Sequence, residues 1–278
     1  MTTGETRIHP GAVVEPGAQL GSGVQIGPFC HVGPEVVLGD GVELKAHVSI
    51  TGATTVGPGT RIYPFAALGY EPQNLRHKGG RTTLEIGSGC TIRESVTIHA
   101  GSDSSGGRTV IGDDCYLMNF SHVAHDCTVG RGVTFANGAT LAGHCEIGDF
   151  VTIGGLSAVH QFVRIGHHAF VGGMSGVAGD VIPFGMVMGN RARLRGLNVI
   201  GMKRSGMPKS EIQALRAAYR MVFDRSRPME EGLAEARARF ADSGIVEDVT
   251  EFLAARGRRH YTVPAPTASD GGDADDDA

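Results

Sequence analysis

From Ile8 onward an aliphatic residue recurs at every sixth position: Ile8, Val14, Leu20, Ile26, Val32 and Leu38, then Leu44, Ile50, Val56, Ile62 and Leu68. The register resumes at Ile86, Ile92 and Ile98. It then runs unbroken from Ile111 through Leu117 and Val123 to Val171 and Val177, with Phe135 its one non-aliphatic member. Gly follows the aliphatic residue in many hexads, as in Val32-Gly33, and a small residue such as Ala18, Cys30, Ala139 or Ser157 holds the fifth place. Each hexad can supply one short strand and one turn, with the branched side chain pointing inward and the small one fitting a cramped corner. The period predicts a mainly β protein whose residues 1–190 form a parallel β-helix. With three faces, residues three hexads apart stack in columns about 4.8 Å apart, which turns sequence spacing into geometry.

Two insertions interrupt the count, near 70–83 and near 101–109. Loops that break a strict repeat are tolerated at its corners and often carry function. The first, with its diverse polar residues, is the stronger candidate; the second is rich in Gly, Ser and Asp. The repeat fades after Pro183, and Gly185 to Gly206 reads as an irregular basic connector. Beyond it Pro208 opens an amphipathic helix through Ile212, Leu215, Tyr219, Val222 and Phe223, and helical patterns follow at Met229 to Phe240 and Val246 to Arg256. Residues 191–263 are therefore expected to form the connector and an α-helical domain, and 264–278 a disordered acidic tail.

Composition agrees with the repeat: 43 Gly and no Trp in 278 residues suit many tight turns rather than an aromatic core. The net charge of -4 arises in the tail, whose five Asp, once set aside, leave a body at +1. A near-neutral body argues against nucleic-acid binding, which needs a basic patch or stripe. No apolar run approaches the roughly 20 residues of a membrane span, and Met1 to His9 has no apolar signal segment, so the expectation is a cytoplasmic protein. Cys30, Cys90, Cys115, Cys127 and Cys145 all fall in the small fifth slot, where they are expected to be buried, reduced thiols. Some hexapeptide β-helices are zinc hydratases, but no two His here have the spacing of their ligand pair, and the expectation is no metal and no cofactor.

Chemistry concentrates between Leu117 and Gln161, where His122, His125, His144 and His160 gather in a repeat whose outward positions need only be polar. The column rule puts Gly143 and Gln161 over His125, His144 over Asp126, and His160 over Ala142. Any one His, such as His31 or His47, reads as an exposed turn residue; the cluster reads as a site. A histidine titrating near neutrality can take a proton from a hydroxyl, Asp126 can hold its tautomer, and Gly143 can offer an N–H to an oxyanion. That combination suits acyl transfer to a hydroxyl. Asn137, Gly155, Gly173 and Arg191 form another column whose glycines would leave a groove for an acyl chain, or serve only as turn residues. Between Arg191 and Arg225 stand nine Lys or Arg against Glu211 and Asp224, with Lys203-Arg204 the best phosphate clamp.

The segments Gly69-Tyr70-Glu71-Pro72-Gln73, Ile92-Arg93-Glu94-Ser95-Val96-Thr97-Ile98-His99, His122-Val123-Ala124-His125-Asp126, Leu141-Ala142-Gly143-His144 and Ala158-Val159-His160-Gln161-Phe162 resemble the UDP-N-acetylglucosamine O-acyltransferases. These enzymes begin lipid A synthesis in Gram-negative bacteria. The resemblance covers the chain except its acidic tail. It implies a left-handed β-helix and transfer of a 3-hydroxyacyl group from acyl carrier protein to the glucosamine 3-hydroxyl. It also implies a homotrimer with sites between subunits. In it His125 would be the general base, Asp126 its orienting partner and Gly143 the oxyanion donor. His122, His144, His160 and Gln161 would contact sugar or phosphate. Gln73, Asn74 and Arg76, with Asn198 and Arg204, would hold nucleotide or acyl donor, and Gly173, beside Gly155, would set acyl length at about C12 to C14. Asn74, Arg76, Ile200 and Ser205 depart from the residues common at those places in the family. The competing readings are a related UDP-3-O-acylglucosamine N-acyltransferase, whose uridine-binding domain ahead of the repeats has no counterpart here, and a non-catalytic trimeric scaffold.

Overall fold

The computed structural model describes residues 4–265; the expected acidic tail therefore lies, from residue 266 on, outside the described residues. The chain winds into three sheets of 11, 9 and 8 strands. Successive coils pair in parallel with a shift of 18 residues, as Arg7 with Gln25 and Ile8 with Ile26, or His122 with Thr140 and Val123 with Leu141. The two insertions stretch the shift without breaking it: Arg61 pairs with Thr91 across the first and Thr97 with His122 across the second. Most strands are only two residues long.

The sixth-position aliphatics form the core. Val32, Ile50, Ile62, Leu68, Ile92, Leu117, Val123 and Leu141 are all at 0 % exposure, and Phe135 sits among them equally buried. Burying one such side chain stabilises the fold by roughly 1.5–3 kcal/mol, so the column as a whole supplies the main driving force. The five cysteines are buried and unpaired; Cys127 and Cys145 direct their thiols at the carbonyls of Ala142 and His160, each at 3.2 Å. At the corners many non-glycine residues take a left-handed φ, including Asp126 (58°), His144 (63°) and Phe162 (65°). That conformation costs an L-residue about 1–2 kcal/mol, and the ladder of coil-to-coil hydrogen bonds on either side holds it.

Sheet structure continues past the expected fade. Gly185–Met188 pairs in parallel with Phe170–Val171, then Arg193–Leu197 returns antiparallel to it. The expected irregular connector is thus a hairpin followed by a short helix, α1 (Val199–Arg204). The six-residue period ends there because the chain turns back antiparallel on itself instead of winding on to a further coil. Three further helices follow: α2 (Lys209–Val222), α3 (Met229–Arg239) and α4 (Gly244–Ala254). Pro208 and Pro228 precede α2 and α3, where a missing N–H costs nothing. Ile212, Leu215, Val222, Val246 and Leu253 close a small core between these helices. The chain then doubles back: Asp180 bridges Tyr261 and Leu194 bridges Pro264. Among the described residues no helix is long and apolar enough to cross a membrane.

Candidate active site

The corner between the nine-stranded and eight-stranded sheets carries His125-Asp126, Gly143-His144 and Gln161-Phe162 on successive coils. Each coil hands its backbone to the next: the N–H of His144 donates to the carbonyl of His125 at 3.0 Å, and that of Phe162 to Gly143 at 3.2 Å. The columns expected from spacing are therefore present. His125 and His144 meet edge to face with ring centroids 5.1 Å apart, and His144 stacks on Phe162 at 4.5 Å.

Asp126 is the electrostatic centre of this corner, its side chain 3 % exposed. One carboxylate oxygen lies 2.7 Å from Nδ1 of His125. An ionised carboxylate only accepts, so the proton of that contact sits on Nδ1 and leaves Nε2 of His125 as a free acceptor. Burial opposes ionisation of Asp126, but hydrogen bonds from Ser105, His125 and the Ser102 backbone, with the nearby His144, outweigh it and hold the carboxyl below its usual range. The distances are 2.6 Å from the Ser105 hydroxyl, 2.7 Å from the Gly107 N–H and 3.2 Å from the Ser102 N–H. The backbone of Asp126 is fixed too, its N–H donating to Thr109 at 2.9 Å.

All four of these residues belong to the second insertion or its edge. The first insertion was expected to matter more; the second is the one wrapped around the carboxylate. Low complexity conceals it, because backbone N–H groups and short hydroxyls do the binding and leave no distinctive side-chain signature. The first loop is fastened to the second. Asn74 donates to Ser102 Oγ at 3.1 Å and accepts from the Arg76 N–H at 3.0 Å, while Asp103 receives the N–H groups of Lys78 and Gly80. Gln73 and Arg76 stay exposed, and Leu75 stands fully in the open at 104 % exposure.

The remaining expected residues divide. His122 lies on the adjoining face, its Nδ1 2.7 Å from Thr97 Oγ1, and burial, helped by the neighbouring His99, pushes its pKa down to about 4. His99 itself is 8 % exposed, packs edge to face on His122 at 5.1 Å, and has no partner for Nδ1 among the described residues. His160 and Gln161 are exposed beside the His125 corner. Gly155 and Gly173 stack at another corner, where a β-carbon on Gly173 would lie 3.3 Å from the Gly155 carbonyl. Between the two corners lies a groove of about 660 Å³ floored by Thr140, Ala142, Ala158 and Gly176 and reaching Arg191. Asn198 is not at the His125 corner in this chain: it caps α1 through the Gly201 N–H and donates to the His168 carbonyl at 2.9 Å. Arg204 is exposed at the end of α1.

Across the eight-stranded sheet a second groove, about 1360 Å³, joins Asp126 and His144 to His167, His168 and Asp248. Burial and the charge of His167 lower the pKa of His168, Asp149 pulling the other way, and the ring stacks on Phe184 at 5.0 Å. The sequence pattern had not singled out this pair, since both residues stand in ordinary outward slots.

Donor atoms of His125, Asp126 and His144 lie within 4.8 Å of one another, close enough for a cation. The carboxylate is already satisfied by three N–H or O–H donors besides His125, which leaves two imidazoles where a catalytic zinc takes three protein ligands. The geometry is that of an oriented base beside a glycine.

Residues 17–52 and 108–143 match the bacterial transferase hexapeptide family, and 180–261 match the second domain of the UDP-N-acetylglucosamine O-acyltransferases. The chain is 59 % identical over 98 % of its length to an acyl-(acyl-carrier-protein)-UDP-N-acetylglucosamine O-acyltransferase of Mesorhizobium japonicum, covering 98 % of that protein. It is 54 % identical to the Bartonella bacilliformis enzyme of the same name, over 93 % of this chain and 94 % of that one. The structure of the Campylobacter jejuni UDP-N-acetylglucosamine acyltransferase superposes with a TM-score of 0.87 at 36 % identity, covering 93 % of this chain and all of that one (100 %). With that identity over nearly its whole length, the chain belongs to the UDP-N-acetylglucosamine O-acyltransferase family.

Proposed function

We propose that this protein transfers a 3-hydroxyacyl group from acyl carrier protein to the glucosamine 3-hydroxyl of UDP-N-acetylglucosamine, the first step of lipid A biosynthesis. The observation that carries the mechanism is the 2.7 Å contact between His125 and Asp126, with Gly143 on the next coil against the free face of the ring. Nε2 of His125 takes the proton of the sugar hydroxyl as its oxygen attacks the thioester carbonyl. Charge develops on the carbonyl oxygen, and the Gly143 N–H, which has no acceptor among the described residues, stabilises it. Collapse breaks the C–S bond; the leaving thiolate recovers the proton from the imidazolium, which Asp126 has stabilised meanwhile. No cofactor enters these steps.

His122, His144, His160 and Gln161 border the corner from the two sides and are assigned to the sugar nucleotide. The small-residue groove beyond His160 suits an acyl chain, its far end near Arg191. Gln73, Asn74, Arg76, Asn198 and Arg204 are assigned to nucleotide and donor, with Asn198 and Arg204 supplied to a given site by another subunit. The working unit is then a cytoplasmic homotrimer. A row of exposed apolar side chains, Phe29, Phe65, Phe120, Leu156 and Met174, each 62–74 % exposed, supports an interface along one corner. A solution mass equal to the single chain's 29.0 kDa would remove that part.

The test is turnover of an acyl carrier protein thioester with UDP-N-acetylglucosamine, read by mass spectrometry with mixed acyl donors and with the 3-amino sugar as rival acceptor. His125→Ala is expected to lose about 10²–10⁴-fold in kcat. Retention of most activity would overturn the assignment of the base, and preference for the amino sugar that of the acceptor.

A further inference from the structure

The segment after α4 runs back along the catalytic corner, and its position is set on both flanks. A β-carbon on Gly257 would lie 2.5 Å from both Arg164 Nε and Asp180 Oδ2, so the chain passes directly over that buried ion pair. On the other flank the N–H of Asp180 donates to the His260 carbonyl at 2.7 Å, that of Thr262 to the Asp180 carbonyl at 2.8 Å, and that of Leu194 to the Val263 carbonyl at 3.1 Å. Between these anchors Arg258 and Arg259 meet three successive residues of the site. The Arg258 guanidinium lies 4.6 Å over the Phe162 ring. Arg259, half-buried, places Nε 2.9 Å from the Gln161 carbonyl and a terminal nitrogen 2.7 Å from His160 Nδ1.

A guanidinium donates at every nitrogen and accepts at none. The contact with Arg259 therefore requires a lone pair on His160 Nδ1, and the proton of a neutral ring must sit on Nε2. Nothing else in the described residues imposes that choice. The neighbouring Gln161 carbonyl, 3.3 Å from the same Nδ1, would favour the opposite tautomer if Arg259 did not occupy it. The two prongs of the fork act together, tying the carbonyl and freeing the ring to accept.

We propose that Arg259 is a positioning residue, which fixes His160 as the Nε2–H tautomer and so makes it a hydrogen-bond donor toward an oxygen of the sugar-nucleotide acceptor. Hydroxyl, carbonyl and phosphate oxygens all accept from such a donor. The wrong tautomer would present a lone pair to them. The proposal rests on His160 touching that substrate, as assigned above.

The test uses the full-length protein and Arg259→Ala, with Arg259→Lys as the conservative variant. Imidazole 15N shifts of His160, assigned by comparison with His160→Ala, report which nitrogen carries the proton. The native protein is expected to show the Nε2–H form. The alanine variant is expected to show a mixture, with KM for UDP-N-acetylglucosamine raised about tenfold, the order of one lost hydrogen bond, and a smaller change in kcat. Lysine restores the donor to Nδ1 and should recover much of the KM. Native-like 15N shifts in Arg259→Ala would overturn the proposal. An unchanged KM in His160→Ala would instead overturn the substrate contact on which it rests. If the alanine variant melts early, Arg259→Met, which keeps most of the stem and carries no N–H donor, carries the same two measurements.

Discussion

A β-carbon on Gly143 would stand 2.7 Å from Cε1 and 2.8 Å from Nε2 of His125. Real β-carbons do not approach other atoms so closely, and the ring cannot simply swing away because Asp126 holds its other nitrogen. Gly143→Ala is therefore expected to break the His125–Asp126 contact or turn Nε2 out of line, lowering kcat about 10²-fold or more. Its circular dichroism and melting should stay near native. Gly155→Ala is the control: its β-carbon meets the Asn137 carbonyl at 3.3 Å and no imidazole. Equal effects of the two substitutions on kcat would refute the steric account.

The second insertion should matter through Asp126. Ser105→Ala removes a 2.6 Å hydrogen bond to that carboxylate, a charge-assisted contact worth roughly 1.5–3 kcal/mol. With the Gly107 and Ser102 N–H groups still in place, only part of that reaches catalysis, and kcat is expected to fall about tenfold. Asp126→Asn removes the charge that stabilises the imidazolium and should cost on the order of 10²–10⁴. Steady-state kinetics on both variants decide the point; a fully active Ser105→Ala would mean the loop does not tune the dyad.

The coil geometry was legible because one period dictated it: the columns that put Gly143 over His125 and His144 over Asp126 follow from spacing alone. What the pattern concealed was everything that reaches the corner from outside the repeat. Ser102, Ser105 and Gly107 bind Asp126 by backbone and hydroxyl groups. Arg258 and Arg259 return from the far end of the chain, about a hundred residues from their partners, and no local signal announces such contacts. His99 looked like any strand residue until the structure placed it against His122. Asn198 was concealed in the opposite sense: its place in the sequence suggested substrate, and nothing there announced that its side chain also caps α1 and reaches the His168 carbonyl within its own chain.

Stability should depend on pH through the histidines around this site. Burial depresses the pKa of His99, His122 and His144, that of His122 to about 4. The unfolded chain, with histidine near 6.5, therefore binds more protons than the folded one as pH falls from about 6.5 to about 4, and folding is progressively disfavoured over that window. A shift of one unit corresponds to about 1.4 kcal/mol, so His122, discounted for its partial exposure, should contribute on the order of 2 kcal/mol. Denaturant titrations at pH 7 and pH 4.5 measure it. His122→Gln is expected to flatten the difference between them, and an undiminished pH dependence in that variant would place the effect on other groups.

Acyl length is the last property the geometry bears on. Gly173 is exposed and stacks on Gly155, whose carbonyl is the nearest atom a β-carbon there would meet, at 3.3 Å. A long side chain can therefore be built at this position without disturbing the coil, and it would extend along the surface next to exposed Met174. If the acyl chain ends at this corner, Gly173→Met fills the space of its last few methylenes. Each methylene that no longer fits forfeits roughly 0.8 kcal/mol of burial, and one to three kcal/mol suffices to reorder preferences 10- to 200-fold. Competition among C10, C12 and C14 3-hydroxyacyl donors should move from the longer chains, about C12 to C14, toward C10 in the variant, with kcat on the shorter donor preserved. An unaltered product distribution would show that the chain does not end at this corner, and the floor of the groove at Ala158 and Gly176 would become the place to substitute next.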